Sequence, residues 1–145
     1  MTNKQTKLRL LFVVNRGSGD KDTSLSEQII NFFSDSDIAI EIFELPRKCN
    51  VEQVTKAIQK IKADRVIAVG GDGTLKLVAE CLLNTEIPIG VIPAGSANGM
   101  AKELGIPLNF EEALAVAANG TPKKIHATMV NDELCIHLSD IGFNA

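Results

Sequence analysis

The chain has 145 residues, of which 45% are hydrophobic and 23% are charged, a composition typical of one globular domain with a sizeable core. Its 15 Lys and Arg residues against 18 Asp and Glu residues give a net charge of −3. This balance excludes the overall basic field that favours nucleic acid, so any anionic ligand is expected to be held locally. Three cysteines, an odd number without a CxxC pair, indicate a reducing, cytoplasmic setting.

Four short apolar segments predict the strands of a sheet. They run over residues 8–14, 38–43, 66–69 and 87–92. The first is apolar apart from Arg9, as expected of a strand covered on both faces. The second alternates apolar and acidic residues, which places it nearer an edge, and Pro46 is expected to end it.

Helical patterns separate these strands. Three begin at predicted N-caps, namely Ser24 with Glu27 in a capping box, Asn50, and Asn109 with Glu112. A fourth pattern follows from Leu75, and a short one covers 97–104. Strands alternating with helices predict the α/β class, an open and mostly parallel sheet with helices on both faces.

The pattern changes near residue 122. KKIHATMV and ELCIHLSDI read as two strands of an antiparallel hairpin that turns at Asn131 and Asp132. We therefore divide the chain into an α/β domain over 1–122 and a hairpin over 123–145. The hairpin either packs back on the first sheet or opens a further domain, and its unpaired edge favours association with another copy.

Three loops at strand ends carry the candidate chemistry: NRGSG, GGDGT and PAGSANG. Ligands of open parallel sheets bind where loops leave the carboxyl ends of strands. Glycines there let the backbone approach a ligand closely, and a following helix N-terminus offers free N–H groups, an arrangement that suits phosphate.

Each loop also has a structural reading. NRGSG resembles an ordinary turn, Ser96 can cap a helix, Gly95 can turn the chain, and Asp72 can be an N-cap. GGDGT is the strongest signal, because one glycine suffices for a turn and three around an acid indicate a ligand. Neither GxxxxGK[ST] nor an opening GxGxxG is present, which disfavours a P-loop hydrolase and a usual dinucleotide-binding oxidoreductase.

The motifs together resemble the catalytic domain of diacylglycerol kinases and sphingosine kinases, nearly from end to end. NRGSG is similar to the family's Asn-Pro-x-Ser-Gly, GGDGTLKLV to Gly-Gly-Asp-Gly-Thr-Leu-Asn-Glu-Val, and GVIPAGSANGMAKELGIP to the segment with Gly-Thr-x-Asn-Asp. SDIGFNA is similar to x-x-Gly-Phe-Asp-Ala, found early in a second, β-rich domain. Four motifs in the family's order are more specific than any one of them.

The resemblance implies ATP-dependent phosphorylation of a lipid hydroxyl with Mg²⁺. Carried over by motif position, the residues bordering the nucleotide are Asn15, Ser18, Gly19, Gly70, Gly71, Asp72, Gly73, Thr74, Gly95, Ser96 and Asn98. Asp72 is the implied catalytic carboxylate, because phosphoryl transfer depends on orienting the metal and the hydroxyl. It can bind Mg²⁺ directly or through water, or accept the proton of the hydroxyl. The implied partners are nucleotide, a lipid held mainly by the second domain, and peripherally a membrane surface.

Several positions depart from the family pattern. Arg16 stands at the family's proline, where it either adds a phosphate-facing cation or changes the turn. Lys76 and Leu77 replace Asn-Glu, and Gly99 and Asn144 replace aspartates. Family members also continue through the second domain, so we expect this chain to be a fragment that binds nucleotide weakly and catalyses little.

Two alternatives stay open. An NAD kinase-like enzyme would use the same GGDGT motif with a soluble dinucleotide as its substrate. The NRGSG and PAGSANG motifs argue against this alternative. A non-catalytic nucleotide-binding module would keep the fold without the missing acidic residues. Competition between NAD, lipid and ATP, with and without Mg²⁺, separates these three classes.

Overall fold

The computed structural model describes residues 7–16, 24–95 and 98–135. Its centre is a four-stranded parallel sheet of β1 (Arg9–Asn15), β2 (Ala39–Leu45), β3 (Arg65–Gly70) and β4 (Ile89–Pro93). The strand order is β2-β1-β3-β4, so the alternating strand is indeed at an edge. The predicted open parallel sheet is confirmed.

Five helices connect or follow these strands in the described residues: α1 (Leu25–Phe33), α2 (Val51–Ile61), α3 (Asp72–Cys81), α4 (Gly99–Glu103) and α5 (Phe110–Asn119). The three caps predicted to begin α1, α2 and α5 are all used. Asn50 and Gln53 form a complete capping box on α2, and Asn109 accepts the N–H of Glu112 on α5. On α1, Ser24 accepts the N–H of Glu27 at 3.4 Å, which is one of the two bonds of the predicted box.

The helices cover both faces of the sheet because the strands are apolar on both. Residues 10–14 of β1 are each at most 2% exposed. Leu11 and Val13 pack with residues of α2, α3 and α4, whereas Leu10, Phe12 and Val14 pack with α1 and α5. Each fully buried side chain of this kind contributes about 1.5–3 kcal/mol, so these two clusters hold the strand ends in place.

Several element boundaries differ from the predicted ones; those of β1 and β3 differ by a single residue at each end. β2 continues to Leu45 because it pairs with β1 up to the residue before Pro46. β4 begins after Pro88, which lacks an N–H, although its carbonyl accepts the N–H of Val66 at 3.1 Å. α3 begins at Asp72 rather than near Leu75, so Gly73 and Thr74 belong to its first turn, and α4 is described only from Gly99.

The predicted hairpin is present as a separate two-stranded sheet of β5 (Thr128–Val130) and β6 (Glu133–Cys135). Asn131 and Asp132 have φ values of 50° and 64°, the two positive angles that a tight hairpin turn requires. The hairpin does not join the main sheet. It lies against α3, where Lys76 pairs with Glu133 and where Leu134 is only 2% exposed. The domain boundary at residue 122 stays a prediction, and SDIGFNA lies outside the described residues.

Replacing Lys76 by Ala is expected to loosen this hairpin. The Glu133 carboxylate holds the pKa of Lys76 above its ordinary value, and Lys76 holds the pKa of Glu133 below its own. A lowered carboxyl pKa stabilises the attachment above the unfolded-state pKa, and this stabilisation is lost as pH falls through the folded-state pKa. Hydrogen exchange of residues 128–135, measured at neutral and at acidic pH, checks both effects.

The matched control is Lys56→Ala, which removes an exposed ion pair to Glu52 within α2. It should leave exchange in the hairpin unchanged. Equal protection of residues 128–135 in Lys76→Ala and in the parent chain would show that Leu134 alone anchors the hairpin.

The three cysteines are free and half-buried. Cys49 and Cys81 pack at the border of the cluster between the sheet and α2, α3 and α4, and burial raises the pKa of both thiols. They act as small hydrophobic residues, as the absence of a CxxC pair suggests. Across the described part of the chain, no helix has the length and apolarity needed to cross a bilayer.

Candidate functional site

The glycine-rich loops meet at one edge of the sheet. Gly70 at the end of β3 is in register with Pro93 at the end of β4, and the N–H of Ala94 donates to the carbonyl of Gly70 at 2.9 Å. β1 ends at Asn15 on the same edge. GGDGT and the start of PAGSANG are therefore neighbours at the carboxyl ends of parallel strands, where α/β proteins bind ligands.

Gly71 and Gly95 face each other with almost no space between their backbones. A Cβ on Gly95 would lie 2.8 Å from the nitrogen of Gly71 and 3.1 Å from Oδ1 of Asn98. A Cβ on Gly71 would lie 3.3 Å from the Cα of Gly95. These two glycines thus serve packing between the loops, and their presence alone does not indicate a ligand.

Asn15, Gly70 and Thr74 form a second close group. A Cβ on Gly70 would lie 2.5 Å from Oγ1 of Thr74 and 3.3 Å from the Cβ of Asn15. Thr74 is only 5% exposed. The Thr74 hydroxyl lies against Gly70 at the end of β3, so a ligand that contacts this hydroxyl must come close to the backbone there.

The N-terminus of α3 has no side-chain cap from its own N-cap residue. That N-cap is Gly71, which lacks a side chain, and a Cβ added at Gly73 would meet no other element of the described residues within 4 Å. The first N–H groups of a helix have no partner within the helix and carry the positive end of its dipole. Within the part of the chain that the structure describes, the first turn of α3 thus lacks a side-chain cap from its N-cap residue and has room for a ligand beside Gly73.

The Asp72 carboxylate caps a different helix from its own. Oδ2 accepts the N–H of Gly99 and Oδ1 accepts the N–H of Met100, both at 3.0 Å. These are the first N–H groups of α4, whose own N-cap Asn98 makes no side-chain cap bond. Asp72 therefore joins α3 to α4 across the site. From the sequence, Asp72 was expected either to face a ligand or to cap its own helix, so this bond to α4 was not predicted.

Asn98 closes the opposite loop on itself. Its Oδ1 accepts the N–H of Gly95 and its Nδ2 donates to the carbonyl of Gly95, each at 2.8 Å. Its backbone is left-handed at φ 51°, a conformation that asparagine tolerates well. Asn98 thus ties Gly95 to the start of α4. The predicted site residues Ser18, Gly19 and Ser96 lie outside the described residues.

A charged cluster at the ends of β1 and β2 did not enter the sequence prediction. Oε2 of Glu44 accepts the Nε–H of Arg16 at 2.7 Å and an N–H of Nη2 of the same arginine. Oε1 of Glu44 accepts the hydroxyl of Ser26 at 2.7 Å. Ser26 first and then Arg16 hold the pKa of Glu44 below its ordinary value. The sequence feature that could have indicated this cluster is Glu44, an acid at the end of a strand beside a glycine-rich loop.

The departures from the family pattern have structural roles where they are described. Lys76 pairs with Glu133, and Leu77 packs against the core between the sheet and α3. Gly99 supplies a backbone N–H to Asp72. Asn144 lies outside the described residues.

The residues fit only a lightly coordinated cation. Within residues 7–16, 24–95 and 98–135, no three His, Cys, Asp or Glu residues are grouped as metal ligands. Asp72 is the one predicted ligand, and both its oxygens already accept backbone N–H groups. Mg²⁺ is commonly held by one or two carboxylates together with water and substrate phosphates, which matches this arrangement.

Parallel strands with helices on both faces, and glycine-rich loops at the carboxyl ends of the strands, define an α/β protein. The model of the family "Diacylglycerol kinase catalytic domain" matches residues 9–130. The chain belongs to this family of lipid kinases.

Individual relatives agree with this assignment. The "Probable lipid kinase YegS" of Escherichia fergusonii is 33% identical over 138 residues, covering 92% of this chain and 46% of that protein. Sphingosine kinase 1 of Arabidopsis thaliana is 29% identical, covering 85% of this chain and 28% of that protein. A crystal structure of a diacylglycerol kinase from Bacillus anthracis superposes with a TM-score of 0.72 at 22% identity. It covers 99% of this chain and 51% of the solved chain, and supports the fold.

Proposed function

We propose that this chain is the nucleotide-binding part of a lipid kinase that transfers the terminal phosphoryl group of ATP to a lipid hydroxyl. The observation that carries the proposal is the open N-terminus of α3, which begins at GGDGT and lies beside the loop at the end of β4. A family of lipid kinases supplies the reaction class, and this helix end supplies a place for phosphate.

The proposed phosphate position follows from the local geometry. No other element of the described residues would touch a Cβ at Gly73, so phosphate oxygens have room there to accept N–H bonds from the first turn of α3. The buried Thr74 hydroxyl and the Asn15 side chain lie at the end of β3 beside it. Phosphoryl transfer needs little covalent help from the protein, so this positioning is the main contribution of the chain.

Asp72 has two proposed tasks. It holds α4 against α3, and its negative charge attracts a hydrated Mg²⁺ bound to the nucleotide phosphates. The bound cation would offset the charge that develops on the transferred phosphoryl group. The chain's own task is then to keep the two helix ends at a fixed separation.

Lipid binding and turnover are proposed for the whole protein. The chain spans 46% of the YegS relative and 28% of the sphingosine kinase. We therefore expect the chain alone to bind ATP with little phosphorylation of diacylglycerol or sphingosine.

Calorimetric titration tests the proposal. The chain is titrated with ATP, with and without Mg²⁺, and with NAD as the competing ligand. Saturable ATP binding that strengthens with Mg²⁺ and exceeds NAD binding is expected. Preferential NAD binding would favour an NAD kinase-like enzyme, and absence of ATP binding in the full-length protein would overturn the kinase assignment for this chain.

A further inference from the structure

Lys76 links the helix that begins at GGDGT to the hairpin of β5 and β6. Its ammonium group pairs with the carboxylate of Glu133 on β6. We propose that Lys76 exchanges this carboxylate for a phosphate of the nucleotide, so that nucleotide binding at α3 releases the hairpin. This inference rests on the proposed function and adds to it a coupling between the phosphate position and the hairpin.

Lys76 lies on the side of α3 that carries the proposed phosphate position. An α-helix turns about 100° per residue, so Lys76, three residues after Gly73 and four after Asp72, lies between these two residues around the helix. It is about 4.5 Å farther along the helix axis than Gly73, and helical side chains tilt toward the N-terminus. The flexible four-carbon stem of a lysine can therefore bring the ammonium group back to the first turn.

The space for the phosphate is next to this side chain and is not filled by it. A Cβ added at Gly73 would not meet the Lys76 side chain within 4 Å, because Lys76 is turned to Glu133 instead. Lysine is a common ligand of phosphate in proteins, where it acts as a compact positive charge. Glu133 thus holds a cation beside the place where a phosphate would use it.

The ion pair is of a kind that a phosphate can replace. The side chains of Lys76 and Glu133 are 33% and 69% exposed, and exposed ion pairs are weak because water and salt screen them. A nucleotide polyphosphate carries more negative charge than one carboxylate, and the dipole of α3 attracts that charge to the first turn. Both effects favour the phosphate over Glu133 once a nucleotide is bound.

The hairpin would respond to this exchange. Its attachment to α3 combines the ion pair with the burial of Leu134, and it forms a two-stranded sheet of its own. Such a short two-stranded sheet is marginally stable without outside contacts. Binding free energies are reciprocal, so a nucleotide that loosens the hairpin is itself bound more weakly by the factor that the hairpin contact imposes.

Calorimetric titration with ATP and Mg²⁺ compares the parent chain with Lys76→Met and Glu133→Gln. Both variants break the same ion pair, so a purely structural effect of the hairpin would be similar in both. Lys76→Met should weaken ATP binding by about tenfold, the loss of one hydrogen bond from a charged group. Glu133→Gln removes only the competing carboxylate and should strengthen ATP binding by about two- to fivefold, the range for an exposed ion pair.

Hydrogen exchange of residues 128–135 provides a second measurement. ATP should speed exchange there in the parent chain, because the phosphate takes Lys76 from Glu133. In Lys76→Met, ATP should leave this exchange unchanged, since no ion pair remains to be broken. ATP that slows exchange of residues 128–135 in the parent chain would contradict the inference.

The matched control is Lys56→Met, which removes an exposed lysine of α2 with the same change in net charge and should bind ATP as the parent chain does. Unchanged ATP affinity in Lys76→Met, or weaker binding in Glu133→Gln, would overturn this inference while ATP binding by the parent chain still supports the proposed function. Absence of ATP binding by the parent chain would instead contradict both.

Discussion

Gly95→Ala is expected to lower the free energy of unfolding by about 2–3 kcal/mol, the upper part of the range for overpacked sites. Its new Cβ would lie 2.8 Å from the backbone nitrogen of Gly71, and a backbone atom cannot rotate away as a side chain can. Separating the loops would also strain the bond from Ala94 to Gly70. Urea unfolding followed by circular dichroism measures the change.

Gly73→Ala, in the facing GGDGT segment, is the matched comparison. Its Cβ would meet no atom within 4 Å, and alanine is favoured over glycine in a helix by up to about 1 kcal/mol, so stability should hold or rise. We expect ATP affinity to fall by roughly tenfold, or about 1.4 kcal/mol, because the methyl group covers the face where phosphate approaches.

The two glycine variants separate packing from ligand approach. Loss of stability in Gly95→Ala combined with loss of affinity alone in Gly73→Ala supports the proposed phosphate position. Unchanged ATP affinity in Gly73→Ala would place the phosphates elsewhere, and unchanged stability in Gly95→Ala would mean that the two loops can separate.

The strands and most helices could be predicted because their signals are local. A continuous apolar run at residues 10–14 indicates burial on both faces, and Asn50 before an apolar stripe indicates a helix start. Asn131 and Asp132 supplied the hairpin turn in the same way, since both tolerate positive φ. Each of these features depends on residues close together in the sequence.

Partners distant in sequence could not be predicted by these signals. The Asp72 carboxylate meets N–H groups 27 and 28 positions away, and Glu44 meets Arg16 28 positions away. Both contacts depend on strand order and register, which decide which loops become neighbours. GGDGT indicated that an acid faces something, but only the placement of β4 beside β3 shows that α4 is its partner.

Asp72→Ala is expected to destabilise the fold by about 1–2 kcal/mol, the usual cost of a lost helix cap. It removes both acceptors of the α4 N-terminus, whose residue Met100 is buried. Asp72→Asn keeps one oxygen acceptor and turns a donor toward the other N–H, so it should cost part of this stability. Asp35→Asn, an exposed site between α1 and β2, is the control and should change neither stability nor binding.

The two Asp72 variants distinguish a cap from a charge. If Asp72 only holds α4, binding of ATP with Mg²⁺ should fall in proportion to stability, and Asp72→Asn should bind better than Asp72→Ala. Because we assign it an electrostatic task as well, we expect Asp72→Asn to lose most of the Mg²⁺-dependent gain in ATP affinity despite its smaller loss of stability. Calorimetry with and without Mg²⁺ measures the electrostatic contribution of Asp72 to ATP binding. Hydrogen exchange at Gly99 and Met100 measures its contribution as a cap of α4. A Mg²⁺-dependent gain retained in Asp72→Asn would reduce Asp72 to a structural link between α3 and α4.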